Sequence, residues 1–169
     1  AVTSMVWDTT HQTFLTAGRD SVVNLWKIVV VKDAETYRKL HTLPLYEEVE
    51  CIMLIPFQFV ATAGSKGKVR LWRIEAETDE GCRLVPCAEQ ADSFGKGGFL
   101  HMARHTIDRV DVIAVADAEH NISVLSIDDT TIDNVTIHTN RTIVGHNDDI
   151  LDLKVIPDGT DQRIVIATN

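Results

Sequence analysis

The chain has 169 residues, 44% hydrophobic and 24% charged, a globular balance that supplies a core and excludes a disordered or fibrous protein. Its formal net charge of −9 disfavours autonomous nucleic-acid binding, which draws its affinity from clustered Lys and Arg. No apolar run approaches the roughly 18 residues that cross a bilayer, so no membrane partner is expected. The three cysteines, Cys51, Cys82 and Cys87, contain no C-x-x-C pair and so encode neither a disulfide framework nor a zinc site.

In chain order, Val2 to Trp7, Thr13 to Ala17 and Val22 to Ile28 are short runs rich in Val, Thr, Ile and aromatics, bounded by turn residues, and each predicts a strand. Gly18 to Ser21 predicts the tight turn between the second and third, with Gly18 supplying positive φ and Asp20 bonding the backbone ahead of it. Thr36 to Leu43 predicts an outer, solvent-facing strand. Val49 to Ile55, Phe59 to Ala63 and Lys68 to Ile74 repeat the series, with Pro56 closing the first of them.

From Glu75 to Gly98 the pattern loosens into an acidic run and a glycine cluster, so a loop is expected, interrupted by a fourth strand around Arg83 to Ala88. Phe99 to His105, Asp111 to Ala116, the aligned stretch Ala116 to Ile127 and Asn134 to Val144 make a third series. A fourth begins at Gly145-His146 and continues through Arg163 to Ala167. Residue 1 opens onto a strand pattern and residue 169 stops inside one, from which a longer parent chain is expected.

The series are copies. Ala17-Gly-Arg-Asp-Ser-Val-Val-Asn-Leu-Trp-Lys-Ile28 lies over Ala63-Gly-Ser-Lys-Gly-Lys-Val-Arg-Leu-Trp-Arg-Ile74 with Ala, Gly, Leu, Trp and Ile in register. Residues 17 and 63, like 26 and 72, stand 46 apart. Ala116 to Ile127 aligns with Ala63 to Ile74 at a spacing of 53, with Leu125 in place of the Trp. A repeat of this length marks one supersecondary unit used several times.

Gly145-His146, Asp20, Leu25-Trp26 and Leu71-Trp72 resemble the Gly-His, turn Asp and Leu-Trp signatures of WD-repeat propellers. Lys66 and Glu119 stand at the Asp position of the other copies, so no copy holds both His and Asp. The resemblance implies an all-β fold, a WD-repeat β-propeller segment of about three blades plus the start of a further one. Gly145, His146, Asp20, Trp26 and Trp72 are then structural repeat residues.

Three stretches, Thr42 to Glu50, Thr62 to Trp72, and Gly145 to Leu153 followed by Ala167 to Asn169, the first and third of them unlike generic WD repeats, resemble tandem-propeller subunits of the nucleolar small-subunit processome. That resemblance implies the last blades of a first propeller over 1–127, a crossing segment over 128–140 and the start of a second propeller over 141–169. It also implies a non-enzymatic scaffold in the nucleus and nucleolus. Its partners would be other propeller-containing subunits, with pre-ribosomal RNA and small nucleolar RNA contacted mostly indirectly, and it would take no cofactor and no small-molecule substrate.

A cytoplasmic WD-repeat adaptor, such as a ubiquitin-ligase substrate receptor or signalling scaffold, is the alternative. A propeller hydrolase would need acid, base or metal residues clustered at strand starts, and the sequence shows no such constellation.

Other candidates have plainer interpretations. His101, His105 and Asp108 contain metal-ligating side chains, but residues four apart on a strand lie about 13 Å apart. Gly95-Lys-Gly-Gly98 lacks the Lys-Ser/Thr of a phosphate loop. Cys82 and Cys87, with Asp92 nearby, have no base placed beside them. The acidic stretches Glu47-Glu48-Glu50 and Glu75 to Glu80 are either solvated faces or contacts for a basic protein segment. Glu47 and Glu48 are the candidate protein-contact residues, because they precede an inner strand, where propeller loops collect at a face.

Overall fold

The computed structural model describes residues 1–10, 12–55, 59–77, 81–91, 95–107, 110–131, 134–158 and 161–168, so Pro56, Asp79, Glu80, Asp92 and Asp108 lie outside the described residues. Fourteen strands follow one another with no helix among the described residues: β1 (Val2–Asp8), β2 (Thr13–Gly18), β3 (Val22–Val31), β4 (Ala34–Pro44), β5 (Val49–Ile55), β6 (Phe59–Gly64), β7 (Val69–Glu77), β8 (Gly81–Glu89), β9 (Phe99–Ile107), β10 (Val110–Asp117), β11 (Ile122–Thr131), β12 (Asn134–Ile143), β13 (Ile150–Asp158) and β14 (Asp161–Thr168). They form three four-stranded antiparallel meanders, β1 to β4, β5 to β8 and β9 to β12, and a two-stranded sheet of β13 and β14.

The copies superpose strand by strand. Phe14 pairs with Trp26 as Val60 pairs with Trp72, and Ile113 pairs with Leu125 in the third sheet. Each inner strand also carries a register shift near its start, at Val2/Ser4, Val49/Cys51, Phe99/His101 and Ile150/Asp152.

Packing between sheets repeats as well. Leu15, Ala17, Val23 and Leu25 of the first sheet are buried against Ile52, Val60, Trp72, Ile74 and Leu84 of the second. Ala61, Ala63, Val69 and Leu71, their equivalents one copy on, are buried against Ile113, Leu125, Ile127 and Ile137 of the third. Ala114, Ala116 and Ile122 then pack on Ile150 and Leu153 of β13. Each sheet offers a small-residue face to the next, which lets the sheets approach closely while larger side chains fill the gap.

The segment expected as loop from Glu75 is a hairpin instead, with β7 running to Glu77 and β8 starting at Gly81, so only 90–98 connects the second sheet to the third. Glu75 pairs across the strands with Arg83 and is gripped by Arg73 of its own strand, so the first acid of the run is neutralised. Residues 128–131 and 134–140 lie in the paired strands β11 and β12.

The β2–β3 turn also differs from expectation. Positive φ falls on Ser21 (63°), matched by Gly67 (63°) and His120 (67°) in the next two copies, while Gly18 serves another purpose. A Cβ at Gly18 would sit 2.2 Å from Ala1 O, and one at Gly64 1.9 Å from Glu48 O, so both glycines exist for close backbone approach.

Candidate functional site at the loop face

The turns between second and third strands and the connections leading into inner strands collect at one end of the sheets. One hydrogen bond recurs there: Arg19 N–H donates to Ala1 O, Ser65 N–H to Glu48 O and Ala118 N–H to Gly98 O, at 2.9 to 3.1 Å. The turn of each sheet also reaches the sheet that follows. Arg19 Nε pairs with Glu50 at 2.7 Å, Gly67 lies against Gly95, and His120 Nδ1 stands 3.6 Å from Asp149. The face is a row of turns fixed to one another.

Without a His and Asp in one copy, other side chains tie the turns down. In the second sheet Glu47 is 5% exposed; its carboxylate accepts the Lys66 N–H at 3.1 Å and pairs with Arg70 of β7. Arg70 Nε in turn donates to Glu89 at 2.6 Å, and Lys68 donates to the same carboxylate at 2.8 Å. Lys68 first and then Arg70 hold the Glu89 carboxyl below the usual carboxylate range.

In the third sheet Asp117, 3% exposed, accepts N–H bonds from Glu119 and Asn121 at 3.0 and 2.9 Å and from Lys96 at 3.3 Å. Asp117 occupies the position of Gly18 and Gly64, a substitution visible in the repeat alignment. Here the glycines stand on the opposing side, with Gly97 and Gly98 at φ 71° and 95°. Gln90, 1% exposed, exchanges bonds with Val69 and donates to Thr139 of β12, joining the second sheet to the third.

Of the residues expected to contact partners, Glu48 is exposed, whereas Glu47 is buried and engaged with Arg70 and the Lys66 amide. Tyr46, the residue before Glu47, is 82% exposed at φ 58°. Asp20 is exposed on its turn, Gly145 is exposed and His146 is half-buried ahead of β13.

Trp26 and Trp72 occupy equivalent places: the indole N–H donates to Thr16 Oγ1 at 3.0 Å and to Thr62 Oγ1 at 2.9 Å. The two threonines also stand 46 apart, one residue before the aligned stretch, so the pairing was within reach of the sequence.

His101 is half-buried and His105 buried on β9, and no three His, Cys, Asp or Glu side chains among the described residues are placed to share a metal ion. The glycine cluster packs against the second sheet's turn. None of the three cysteines is in a disulfide; Cys51 is buried and donates to Leu100 O at 2.9 Å, and burial, with a smaller contribution from Glu50, pushes its thiol up to about 12.

Repeated four-stranded sheets packed face to face, each with an equivalent third strand and turn, make the chain a segment of a WD-repeat β-propeller. Residues 1–27 match the family described as WD domain, G-beta repeat. The chain is similar to Transducin beta-like protein 3 of Homo sapiens, 26% identical over 184 aligned residues, and to that of Mus musculus, 25% identical over 182. All of this chain is covered in both cases but only 20% of the relative, so the chain spans a fifth of their length. The crystal structure of Saccharomyces cerevisiae Sqt1 shares the fold, with a TM-score of 0.69 at 16% identity over 95% of this chain and 40% of that one.

Proposed function

We propose that this segment belongs to a non-catalytic scaffold subunit of the nucleolar small-subunit processome, where it supports pre-ribosomal RNA processing through protein contacts. The observation that carries the proposal is likeness to Transducin beta-like protein 3 along the whole chain, including stretches outside the repeat signatures. A rigid row of turns suits the role, because loops already fixed by Glu47, Asp117 and Gln90 bind partners at little ordering cost. Glu48 and the exposed Tyr46 are the contact residues in this proposal, with Glu47 holding them in place.

The net charge of −9 supports protein partners over direct RNA contact. The tandem-propeller arrangement is part of the proposal. The seating of Ile150 and Leu153 on Ala103, Ala114, Ala116 and Ile122 supports keeping β13 and β14 in the same radial series as the sheets before them, so the passage to a second propeller would fall later than residues 128–140.

The test is affinity purification and imaging of the tagged full-length protein. Nucleolar signal with co-purifying U3 small nucleolar RNA and other propeller subunits is the expected result. A cytoplasmic protein that brings down a ubiquitin ligase or signalling complex would replace this proposal with the adaptor reading. Tight, salt-sensitive binding of RNA by the purified protein alone would overturn the protein-contact mechanism.

A further inference from the structure

β8 is the last strand of the second sheet, so alternate backbone N–H groups along it point away from β7 and find no further strand of that sheet. At the buried Leu84, that N–H donates to His41 Nδ1 of β4 at 3.2 Å. The bond crosses from the first sheet to the second. A buried amide needs a partner, and here a titratable ring supplies it.

The arrangement is particular to this seam. His41 stands opposite Leu25 in the first sheet, and Ala88 and Thr139 hold the same place opposite Leu71 and Leu125 in the next two. Ala88 has no side-chain acceptor. The seam between the second and third sheets is bridged instead by Gln90 Nε2, which donates to Thr139 Oγ1 at 3.1 Å and does not ionise.

Leu25, Leu40, Leu43, Cys82 and Leu84 pack together around the His41 seam. Lys27 and Arg38, opposite each other across β3 and β4, lie on the same side of the first sheet as His41, whereas Lys39 is turned to the other side, over Trp26. Arg73, Glu75 and Arg83 alternate with Trp72, Ile74 and Leu84 and so project from the far side of the second sheet. That leaves Cys82 as the titratable group facing His41 from β8. Among the described residues no carboxylate pairs with His41, unlike His120 and His138, so nothing there could take over a proton on Nδ1.

We infer that His41 is an acid-sensitive latch on the seam between the first two sheets. With Nδ1 unprotonated, the ring holds β4 against the edge of β8. A proton on Nδ1 sets two donors against each other, so Leu84 N–H loses its acceptor and the seam opens. β4 ends at Pro44 and leads straight into the connection that bears Tyr46 and Glu48, which puts the latch on the strand feeding the loop face. It is a property of the seam and holds whichever assembly the protein serves.

The test is amide hydrogen exchange of the full-length protein at about pH 7.5 and about pH 5.5, a range over which an imidazole gains its charge. Rates are divided by the intrinsic rate at each pH and read at single residues by fragmentation mass spectrometry. Leu84 is expected to lose about threefold to tenfold of its protection at the lower pH, the worth of one hydrogen bond. Val69 is the control: its N–H donates to Gln90 Oε1 at 3.2 Å, an acceptor that does not ionise, and its protection is expected to hold. His41→Gln is expected to abolish the pH dependence at Leu84. Undiminished protection of Leu84 at the lower pH would overturn the inference. So would an equal loss at Val69, or a loss in His41→Gln as large as in the parent protein, because acid would then be loosening the sheets by another route.

Discussion

Glu47 and Arg70 form a buried ion pair that joins the connection before β5 to the third strand of the same sheet, their side chains 2% and 14% exposed. The pair does locally what a His and Asp network would do in a repeat that held both, since Glu47 also holds the Lys66 amide of the turn. It leaves Tyr46 held in the left-handed region and pointing outward.

Removing one member leaves the other buried without its partner. Glu47→Gln is expected to destabilise the protein by about 2–3 kcal/mol, below the cost of a fully isolated charge because Glu89 remains on Arg70. Glu48→Gln, on the exposed neighbour, is expected to change stability by no more than about 0.5 kcal/mol. Denaturant unfolding of both variants checks the contrast, and a partner-binding assay should show the reverse order of sensitivity.

Gly64 offers a backbone test of the repeat. An added Cβ would lie 1.9 Å from Glu48 O, an atom held by its own bond from Ser65 N–H, so neither side yields cheaply. Gly64→Ala is expected to cost about 2–4 kcal/mol in thermal or denaturant unfolding, as a steric overlap at a packed backbone does.

The Trp72 indole and the Thr62 hydroxyl, both buried, bond at 2.9 Å. Trp72→Phe and Thr62→Val are each expected to cost about 1–2 kcal/mol, and the double variant to recover about 1 kcal/mol of the sum, because the lone buried hydroxyl is then gone. The same cycle on Trp26 and Thr16 is expected to follow the same pattern, since the geometry is shared.

Most of the fold was legible because the strands are short, bounded by turn residues and recur in the same series at spacings of 46 and 53. Trp26 and Trp72 alone fix two equivalent third strands. What escaped was whatever depended on pairing between charges. The run from Glu75 read as loop because its acids look unpaired in sequence, whereas Arg73 shares a face with Glu75 once β7 is extended and Arg83 meets it only when β8 pairs with β7. Glu47 looked like a surface acid for the same reason: Arg70 is 23 positions away and becomes its neighbour only through the β6–β7 turn. Asp117 took over a glycine position, and its residue type alone does not reveal the backbone amides it accepts.

Cys51 gives a prediction at high pH. Its thiol is buried, and its ordinary value of 9.0 is pushed up to about 12, first by desolvation and then by Glu50. The folded protein therefore keeps the proton that the unfolded chain releases above pH 9. Between about 9 and 12 the folded state binds more protons than the unfolded one, so this group's contribution to stability falls as pH rises, by up to about 1.4 kcal/mol per pH unit. Below pH 9 the contribution is fully present. Unfolding curves compared with those of Cys51→Ala should isolate the slope, because Lys and Tyr titrate alike in both proteins. Iodoacetamide at pH 8 supplies the kinetic counterpart: Cys82 and Cys87, both partly exposed, are expected to be alkylated in the native protein, with Cys51 reacting only once denaturant is added. Native Cys51 alkylated as fast as Cys82 would mean that the β5–β9 seam opens readily, against the close packing of Cys51 with Phe99 and the bond to Leu100 O.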